Sequence, residues 1–404
     1  MWRYSRIDRL DLDRYRAPEA GATAGDGAHV SAASDRVRAL VDGLGPRAGL
    51  MVTINGVLAT VASTAPDEAL SLGRLTEHPE AEALLGSVAG DPHDFVLLND
   101  AFAADPLVVD VAPGATVGEP VVVVHLVHGR SAQVVFPRTV VRAGAEASAS
   151  VVELVVDADS GLLADLSPIG GAGEAPVHLV VPVTELEVAD RATLAYVGIQ
   201  SLGPATWQLA HQASVIGAGA GLHSFAVALG GSYARLRTDS SLAGESGSSR
   251  LRAAYIGRDD QMLDFRTLQD HLAPKTTSDL LFMGAVADRS HSVYSGLIRV
   301  RRGAVRADAM QTNRNLVLDE GAHADSVPNL DIEENDVRCS HGSTVGPVDE
   351  DQRYYLESRG VEPAVAERLI VAGFFEDIAS QVPVPGARAT ISRALAAKTG
   401  DHGA

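Results

Sequence analysis

Clusters of turn-forming residues recur at regular intervals between Ser214 and Gly346, and this spacing constrains the fold more than any other feature of the chain. The clusters contain Gly, Asp, Pro or Asn and lie at residues 217–221, 230–231, 244–247, 257–260, 274–275, 288–289, 302–303, 319–321 and 333–336. The intervals are roughly a dozen to seventeen residues long, which suits short strands placed one after another. Val-rich runs from Phe95 onward also have the composition of strands.

Two architectures fit such a series of strands, a β-sandwich and a parallel β-helix. Tight hairpins join the strands of a sandwich, and Asn-Gly or Asp-Gly is the strongest sequence signal for them. The only such pairs, Asp26-Gly27, Asp42-Gly43 and Asn55-Gly56, all precede the regular region. We therefore expect a mainly β protein whose core, residues 93–348, is a parallel β-helix (solenoid).

The regions on either side of this core have different patterns. Residues 1–92 form a small mixed N-terminal region, with helical periodicity at residues 34–44 and 68–88 around a strand-like segment at residues 50–61. Residues 349–404 are expected to form a C-terminal helical domain. Its first helix covers residues 349–358 and ends at Arg359-Gly360, and a second helix begins near Pro363.

The second of these helices has apolar residues on two opposite sides. At about 100° per residue, one side carries Val365, Leu369 and Ala372, and the other carries Ile370, Phe374 and Ile378. The body of the protein covers one side only. The other side is either a docking surface for a partner or is covered by a third helix at residues 387–398, and the pattern favours neither.

Charge and hydropathy exclude several classes of partner. With 33 Lys and Arg against 52 Asp and Glu, the chain carries a formal charge of -19, which repels the phosphates of nucleic acid and anionic membrane surfaces. The arginines at positions 299, 301, 302 and 306 are interpreted as a solvated edge. No apolar run approaches the roughly 20 residues of a membrane span, and the N-terminus lacks the apolar stretch of a signal peptide. We expect a cytoplasmic protein that binds neither nucleic acid nor membrane.

The only cysteine, Cys339, stands two residues before His341 in a segment of alternating apolar and polar residues. Such alternation predicts a strand, on which both side chains leave the backbone on the same face as Val337 and Val345. One thiolate and one imidazole are too few ligands for a structural zinc or iron-sulfur site, which usually needs four. The pair is therefore either packed in the core or half of a site that another chain completes.

Three further sequence features bear on whether the chain is an enzyme. Residues 217–221 suggest a dinucleotide-binding loop, but the third glycine is misplaced and no helical pattern follows, so a turn is favoured. The chain has no phosphate-binding loop of the Gly-x4-Gly-Lys-Ser/Thr form and should not hydrolyse ATP itself. Acidic residues at Asp259, Asp260, Asp331, Glu333 and Glu334 could serve as acid and base in a polysaccharide-cleaving β-helix, or could simply be acidic turns that keep a solenoid soluble.

The stretch from Leu263 to Ile378 resembles the SufB/SufD family of iron-sulfur cluster assembly proteins. The similarity rests on HLAPKTTSD at residues 271–279, SVYSGLIRV at 292–300, DAMQTNRNL at 308–316, ADSVPNLDI at 324–332, CSHG at 339–342, YLESRG at 355–360 and AGF at 372–374. A weaker similarity reaches back to residues 99–102, whereas residues 1–92 lie outside it. The resemblance implies a right-handed parallel β-helix followed by a C-terminal helical domain.

Within the family the chain resembles the SufD branch, because it lacks the upstream cysteines expected of a SufB subunit. The resemblance implies a non-catalytic scaffold subunit in a complex with SufB and two SufC ATPases. It also implies that His341 faces SufB and acts as a metal ligand for a transient iron-sulfur cluster shared by the two subunits. Cys339 matches a thiol of the family motif and is either a second ligand or a packing residue.

The C-terminal helical domain is where SufC docks in this family. The resemblance assigns to that contact Tyr355, Arg359, Ile370, Gly373, Phe374 and Ile378. ATP then acts only through the partner ATPase. The sequence leaves open a homodimeric scaffold that uses the same strand edge, and it leaves open whether the complex binds a reduced flavin, as some relatives suggest.

Overall fold

The computed structural model describes residues 4–16, 27–78, 83, 85, 86, 88, 93–128, 132–157, 160, 162 and 178–400, with side chains from residue 35 onward in the first helix. Two long sheets dominate these residues. Numbered in chain order, the first sheet contains Gly49–Ile54 (β1), Val57–Ser63 (β2), Val121–Val127 (β5), Ser148–Asp157 (β8), Thr193–Ser201 (β11), Gly221–Ala228 (β13), Ser248–Gly257 (β15), Thr277–Val286 (β17), Asp308–Val317 (β19) and Arg338–Gly346 (β21). The second contains Leu70–Arg74 (β3), Leu107–Val111 (β4), Val134–Val135 (β6), Arg138–Ala143 (β7), Leu179–Val180 (β9), Val183–Val188 (β10), Trp207–Ile216 (β12), Tyr233–Leu242 (β14), Met262–His271 (β16), His291–Val300 (β18) and His323–Ile332 (β20).

From β10 onward, successive strands alternate between the two sheets, so the chain winds as a parallel β-solenoid in which each rung contributes one strand to each sheet. Tyr233 of β14 lies beside Met262 of β16, which lies beside His291 of β18, an advance of 29 residues at each step (233 to 262 to 291). One rung therefore spans two of the turn-to-turn intervals seen in the sequence. The predicted parallel β-helix is confirmed.

The lumen between the sheets receives every second side chain, because side chains alternate along a strand. An aromatic stack of Tyr255, Phe265, Phe282 and Tyr294 fills the inner rungs, with successive ring centroids 4.4, 5.8 and 5.6 Å apart. All four rings are buried. A Cβ at Gly284 would lie 1.9 Å from the Tyr255 ring, so the stack requires glycine at that position.

The first strands differ from the sequence prediction. One strand was expected over residues 50–61, but β1 and β2 form an antiparallel hairpin whose turn is Asn55-Gly56, with φ of 51° and 82°. Asn-Gly adopts such a left-handed turn readily. The helix expected over residues 68–88 is wrong for β3, which pairs antiparallel with β4 because its Leu70 packs in the apolar core. Residues 79–82, 84 and 87 of that segment lie outside the described residues.

Five α-helices complete the described structure: Gly27–Gly43 (α1), Asp94–Phe102 (α2), Glu350–Ser358 (α3), Pro363–Ala379 (α4) and Pro385–Gly400 (α5). The last three lie where the sequence predicts helices. Phe375 of α4 and Leu395 of α5 share a buried cluster with Phe225 of β13. Arg252 Nε of β15 also donates a hydrogen bond to Gln381 Oε1 at 2.7 Å. The helical region is thus attached to the inner rungs of the solenoid.

Candidate functional site

The solenoid ends at β20 and β21, the last strands of their sheets. Among the described residues, no strand pairs with the outer edge of either one. Pro328 interrupts the edge of β20, because proline has no N–H to offer. β21 has no proline and, after Arg338, no acidic or basic residue other than His341. Proteins usually blunt exposed edges with proline or charge, so β21 is an edge open to pairing with another chain.

Cys339 and His341 lie on the same face of β21. In the parallel register, Cys339 is beside Ala309 and His341 is beside Gln311 of β19. Ala309 and Gln311 are buried and face the lumen. Cys339 and His341 therefore face the lumen at its open end. The strand and the shared face agree with the alternation seen in the sequence.

Cys339 is half-buried against the apolar side chains of the rung below it. Burial raises the pKa of the thiol, and the negative charge of Asp308 raises it further. The group is therefore a neutral thiol at pH 7 in the isolated chain. A bound metal ion would favour the thiolate, since a coordinating thiol loses its proton.

His341 is exposed, so its imidazole is accessible to another molecule. Its neighbour Gln311 is held rigidly: Tyr294 Oη donates to Gln311 Oε1 at 3.1 Å, and Gln311 Nε2 donates to the carbonyl of Asn329 at 3.1 Å. Gly296 makes room for this arrangement, because a Cβ there would lie 2.3 Å from Tyr294 Oη and 2.4 Å from Gln311 Oε1. His341 thus lies next to a fixed polar layer.

The lumen becomes polar toward its open end, which the sequence reasoning missed. Tyr255 Oη donates to Asn315 Oδ1 at 2.7 Å, Asn313 Nδ2 donates to Tyr255 Oη at 3.0 Å, and Asn315 Nδ2 donates to Asn313 Oδ1 at 2.7 Å. All of these side chains are buried. The signal was present in the alternation of Gln311, Asn313 and Asn315, which places three amides on the lumen face of one strand.

The residues assigned to SufC docking occupy different environments. Tyr355 is exposed, and the Arg359 guanidinium lies 5.2 Å from the centre of its ring. Gly373 is exposed, whereas Ile370 and Phe374 are half-buried against the core. The side chain of Ile378, also in α4, is fully buried in the apolar core, so it is not part of the exposed surface of the helix.

The third C-terminal helix does pack on the second, as one of the two alternatives required. Ile391 and Leu395 of α5 lie in the same buried cluster as Val371 and Phe375 of α4. An apolar part of α4 nevertheless stays uncovered, since Leu369 remains exposed. The structure therefore shows the third-helix alternative, and a partner at the exposed part of α4 stays a prediction.

Three of the five acidic residues considered for polysaccharide cleavage, Asp260, Asp331 and Glu334, are engaged in ion pairs or turns. Both carboxylate oxygens of Asp260 accept hydrogen bonds from Arg289, at 2.9 and 2.8 Å, and these bonds lower the pKa of Asp260. Backbone N–H groups of Asn335 and Gly303 likewise lower the pKa of Glu334. A glycosidase general acid needs a raised pKa. The arrangement therefore disfavours this chemistry.

The arginines of the basic run are also largely paired. Arg299 Nε contacts Asp331 Oδ2 at 3.0 Å, Arg301 Nε contacts Asp270 Oδ1 at 3.0 Å, and Arg306 Nε contacts Asp336 Oδ2 at 3.6 Å. Pairing of this kind reduces the positive field that a nucleic-acid surface requires.

Comparison with known proteins identifies the family. The sequence model of one protein family, described as "SUF system FeS cluster assembly, SufBD core domain", matches residues 125–374 of this chain. This stretch includes Cys339 and His341. The chain belongs to this family. The resemblance found in the sequence motifs is thus confirmed.

Several curated proteins are similar to part of the chain. A SufBD family protein of Mycobacterium tuberculosis is 37% identical over 219 residues, which cover 52% of this chain and 55% of the relative. The iron-sulfur cluster assembly protein SufD of Escherichia coli is 32% identical over 193 residues (48% and 46%), and SufD of Bacillus subtilis is 34% identical over 147 residues (36% and 34%). The chain therefore spans about half the length, or less, of the curated relatives it matches. The part of the chain that the structure describes contains no helix long and apolar enough to cross a membrane.

Proposed function

We propose that this chain is a non-catalytic scaffold subunit for iron-sulfur cluster assembly, which pairs with a SufB-type paralogue through β21. One observation carries the proposal: His341 is exposed on the last strand of the sheet, and no strand among the described residues pairs with the outer edge of that strand, which contains no proline. Membership of the SufBD core family supports the assembly role.

Pairing through β21 would complete the solenoid. Val345 and Ile332 occupy lumen-facing positions of the last rung but are 43% and 42% exposed. A strand added by the partner would satisfy the free backbone groups of β21 and cover these side chains. The same contact places His341 at the junction between two chains.

The cluster is the cargo of this junction. Imidazole and thiolate both bind iron, and neither His341 nor Cys339 can hold a cluster without further ligands. The paralogue would supply the remaining ligands. Because the site is shared, the cluster leaves when the two chains separate.

The C-terminal helices would dock the SufC ATPase through the exposed residues of α3 and α4. Arg252 joins the helical region to β15, and Arg258 Nε donates to the carbonyl of Lys398 at 3.1 Å. ATP-driven movement of SufC would thus act on the inner rungs of the solenoid. A cytoplasmic location stays a prediction of the sequence, which leaves open a reduced flavin in the complex and a homodimeric scaffold.

The assembly role is tested with His341→Ala, co-expressed with the SufB-type paralogue and SufC of the same organism. The variant should form the complex at the normal yield but contain several-fold less iron and sulfide per complex. Ser343→Ala, on the same face of the same strand, is the matched control and should leave both unchanged. Equal iron and sulfide in the wild type and His341→Ala would contradict the role.

The docking role is tested with Leu369→Asp, which places a charge on the exposed apolar part of α4. Leu12→Asp is the matched control, because Leu12 and Leu369 are both 52% exposed. Recovery of SufC by co-purification should fall with Leu369→Asp and Phe374→Asp but not with the control. Full recovery with both α4 variants would remove the docking surface from the proposal.

A further inference from the structure

Two histidines and an aspartate meet on the outer face of the second sheet, away from Cys339 and His341. His291 begins β18 and His323 begins β20, and the parallel register places these two residues side by side. Asp325 lies two residues further along β20, on the same face as His323. Residues 32 apart in the sequence (291 to 323) are thus neighbours because they occupy equivalent positions on successive rungs.

The three side chains converge on a small volume. His291 Nε2 lies 2.8 Å from Asp325 Oδ2, and His323 Nε2 lies 3.4 Å from Asp325 Oδ1. The two imidazole centroids are 5.1 Å apart. One nitrogen from each ring and one carboxylate oxygen all lie within 4.8 Å of one another.

This spacing suits a metal ion. Ligands about 2.1 Å from a tetrahedral ion are about 3.4 Å from one another, which lies within the range of separations seen here. Two imidazoles and a carboxylate are typical ligands of zinc sites that keep an open position and of non-haem iron(II) sites. Calcium and magnesium prefer oxygen ligands, so the two nitrogens disfavour them.

The surroundings combine rigidity with access. His291 and Asp325 are held on hydrogen-bonded neighbouring strands, which limits the movement needed to bind an ion. Their side chains are 22% and 24% exposed, whereas His323 is 67% exposed. An ion can therefore enter from the side of His323 and keep water in its remaining coordination positions.

We propose that His291, His323 and Asp325 bind one divalent transition-metal ion. The site is independent of the proposed assembly function, because all three ligands come from this chain and neither Cys339 nor His341 takes part. It should therefore form in the isolated protein.

The test is a calorimetric titration of the purified full chain with Zn²⁺, followed by zinc X-ray absorption spectroscopy. The wild type should bind one equivalent, with nitrogen and oxygen ligands only. Asp325→Asn and His323→Gln should weaken binding by at least about tenfold. Cys339→Ser and His341→Ala are the controls and should bind Zn²⁺ as the wild type does. Circular dichroism of each variant establishes that it is folded.

The site would be overturned by no Zn²⁺ binding in the wild type, by unchanged affinity in both ligand variants, or by a sulfur ligand at about 2.3 Å, which would place the ion at Cys339 instead. Competition by Mg²⁺ at similar concentrations would also overturn it, since a site with two imidazoles favours transition metals. Loss of iron and sulfide in the His341→Ala complex has no bearing on these outcomes, so the two proposals fail separately.

Discussion

The two ends of the solenoid are finished differently. At the first end, the β1–β2 hairpin and β3 bring Met51, Leu58 and Leu70 into a buried apolar cluster. At the last end, Ser343 and Val345 face the lumen but are exposed. Each rung of a solenoid buries its core only against its neighbours, so an end without a cap leaves lumen positions in water. The first end supplies its own cap, whereas no strand among the described residues covers the last end.

The largest expected effect is on the free energy of unfolding, when a side chain is removed from an inner rung and not from the last rung. The two positions lie in one column of the lumen. Phe282, Asn313 and Ser343 are register neighbours on β17, β19 and β21. Phe282→Ala should lower the free energy of unfolding by about 3–5 kcal/mol, because it opens a cavity in the aromatic stack. Ser343→Ala should change it by less than about 0.5 kcal/mol.

Urea unfolding followed by circular dichroism measures both values in the isolated chain. Similar losses in the two variants would show that the last rung is packed like the inner ones, and the contrast between the two ends would disappear.

The second effect is a dependence of stability on pH that originates in an inner rung. His271 is buried, with Nδ1 2.8 Å from Thr276 Oγ1 and Nε2 2.8 Å from Ser278 Oγ, and burial lowers its pKa to about 4. In the unfolded chain this pKa is about 6.5. As the pH falls from 6.5 to 4, the unfolded state binds a proton that the folded state excludes. Stability therefore falls over this window, by up to about 3 kcal/mol.

His271→Gln should reduce this slope between pH 6.5 and 4, measured as the free energy of unfolding at several pH values. Phe282→Leu is the control, because it alters packing without removing a titratable group, and its slope should match the wild type. An unchanged slope in His271→Gln would show that the histidine is protonated in the folded state as readily as in the unfolded one.

A smaller effect should follow from removing one member of the polar layer. Asn313→Ala leaves Tyr255 Oη without its donor and Asn315 Nδ2 without its acceptor. An unsatisfied buried polar group costs about 1–3 kcal/mol, and the free energy of unfolding should fall by that amount. Thr344→Ala, on exposed β21, should have no measurable effect. Equal values for these two variants would mean that water already reaches the polar layer.

The smallest effect on the isolated chain should come from Val345→Ser. Val345 is exposed at the open end, so the free energy of unfolding should change by less than about 0.5 kcal/mol. Binding of the SufB-type paralogue, measured by calorimetry, should nevertheless weaken, because the partner would cover this side chain. A large loss of stability with unchanged binding would show that Val345 is packed within the isolated chain and is not covered by the paralogue.

Much of this architecture could be inferred from the sequence, because a solenoid repeats one local pattern. The turn spacing, together with the lack of Asn-Gly and Asp-Gly pairs in the regular region, predicted the parallel rungs, and alternation alone placed Cys339 and His341 on one face. The β1–β2 hairpin was missed although Asn55-Gly56 was recognised, and β3 was taken for a helix because its pairing with β4 is a tertiary effect.

Other features of the molecule could be inferred only from its three-dimensional structure. The apolar residues of α4 lie on two sides, so only packing could show that Ile378 is buried and Leu369 exposed. The proximity of His291, His323 and Asp325 can be inferred only once the length of the rung between them is known. Local patterns therefore predicted the fold and the last strand, but not which side of a helix or which residues of distant rungs meet.

Hydrogen exchange along β21 tests most directly whether the last rung is completed by another chain. The backbone amides of residues 338–346 would be followed in the isolated chain and after addition of the SufB-type paralogue, with β15 as the internal reference. We expect the amides at the outer edge of β21 to exchange quickly alone and to become protected in the complex, while β15 stays unchanged. A complex that forms without protecting β21 would contradict pairing through this strand.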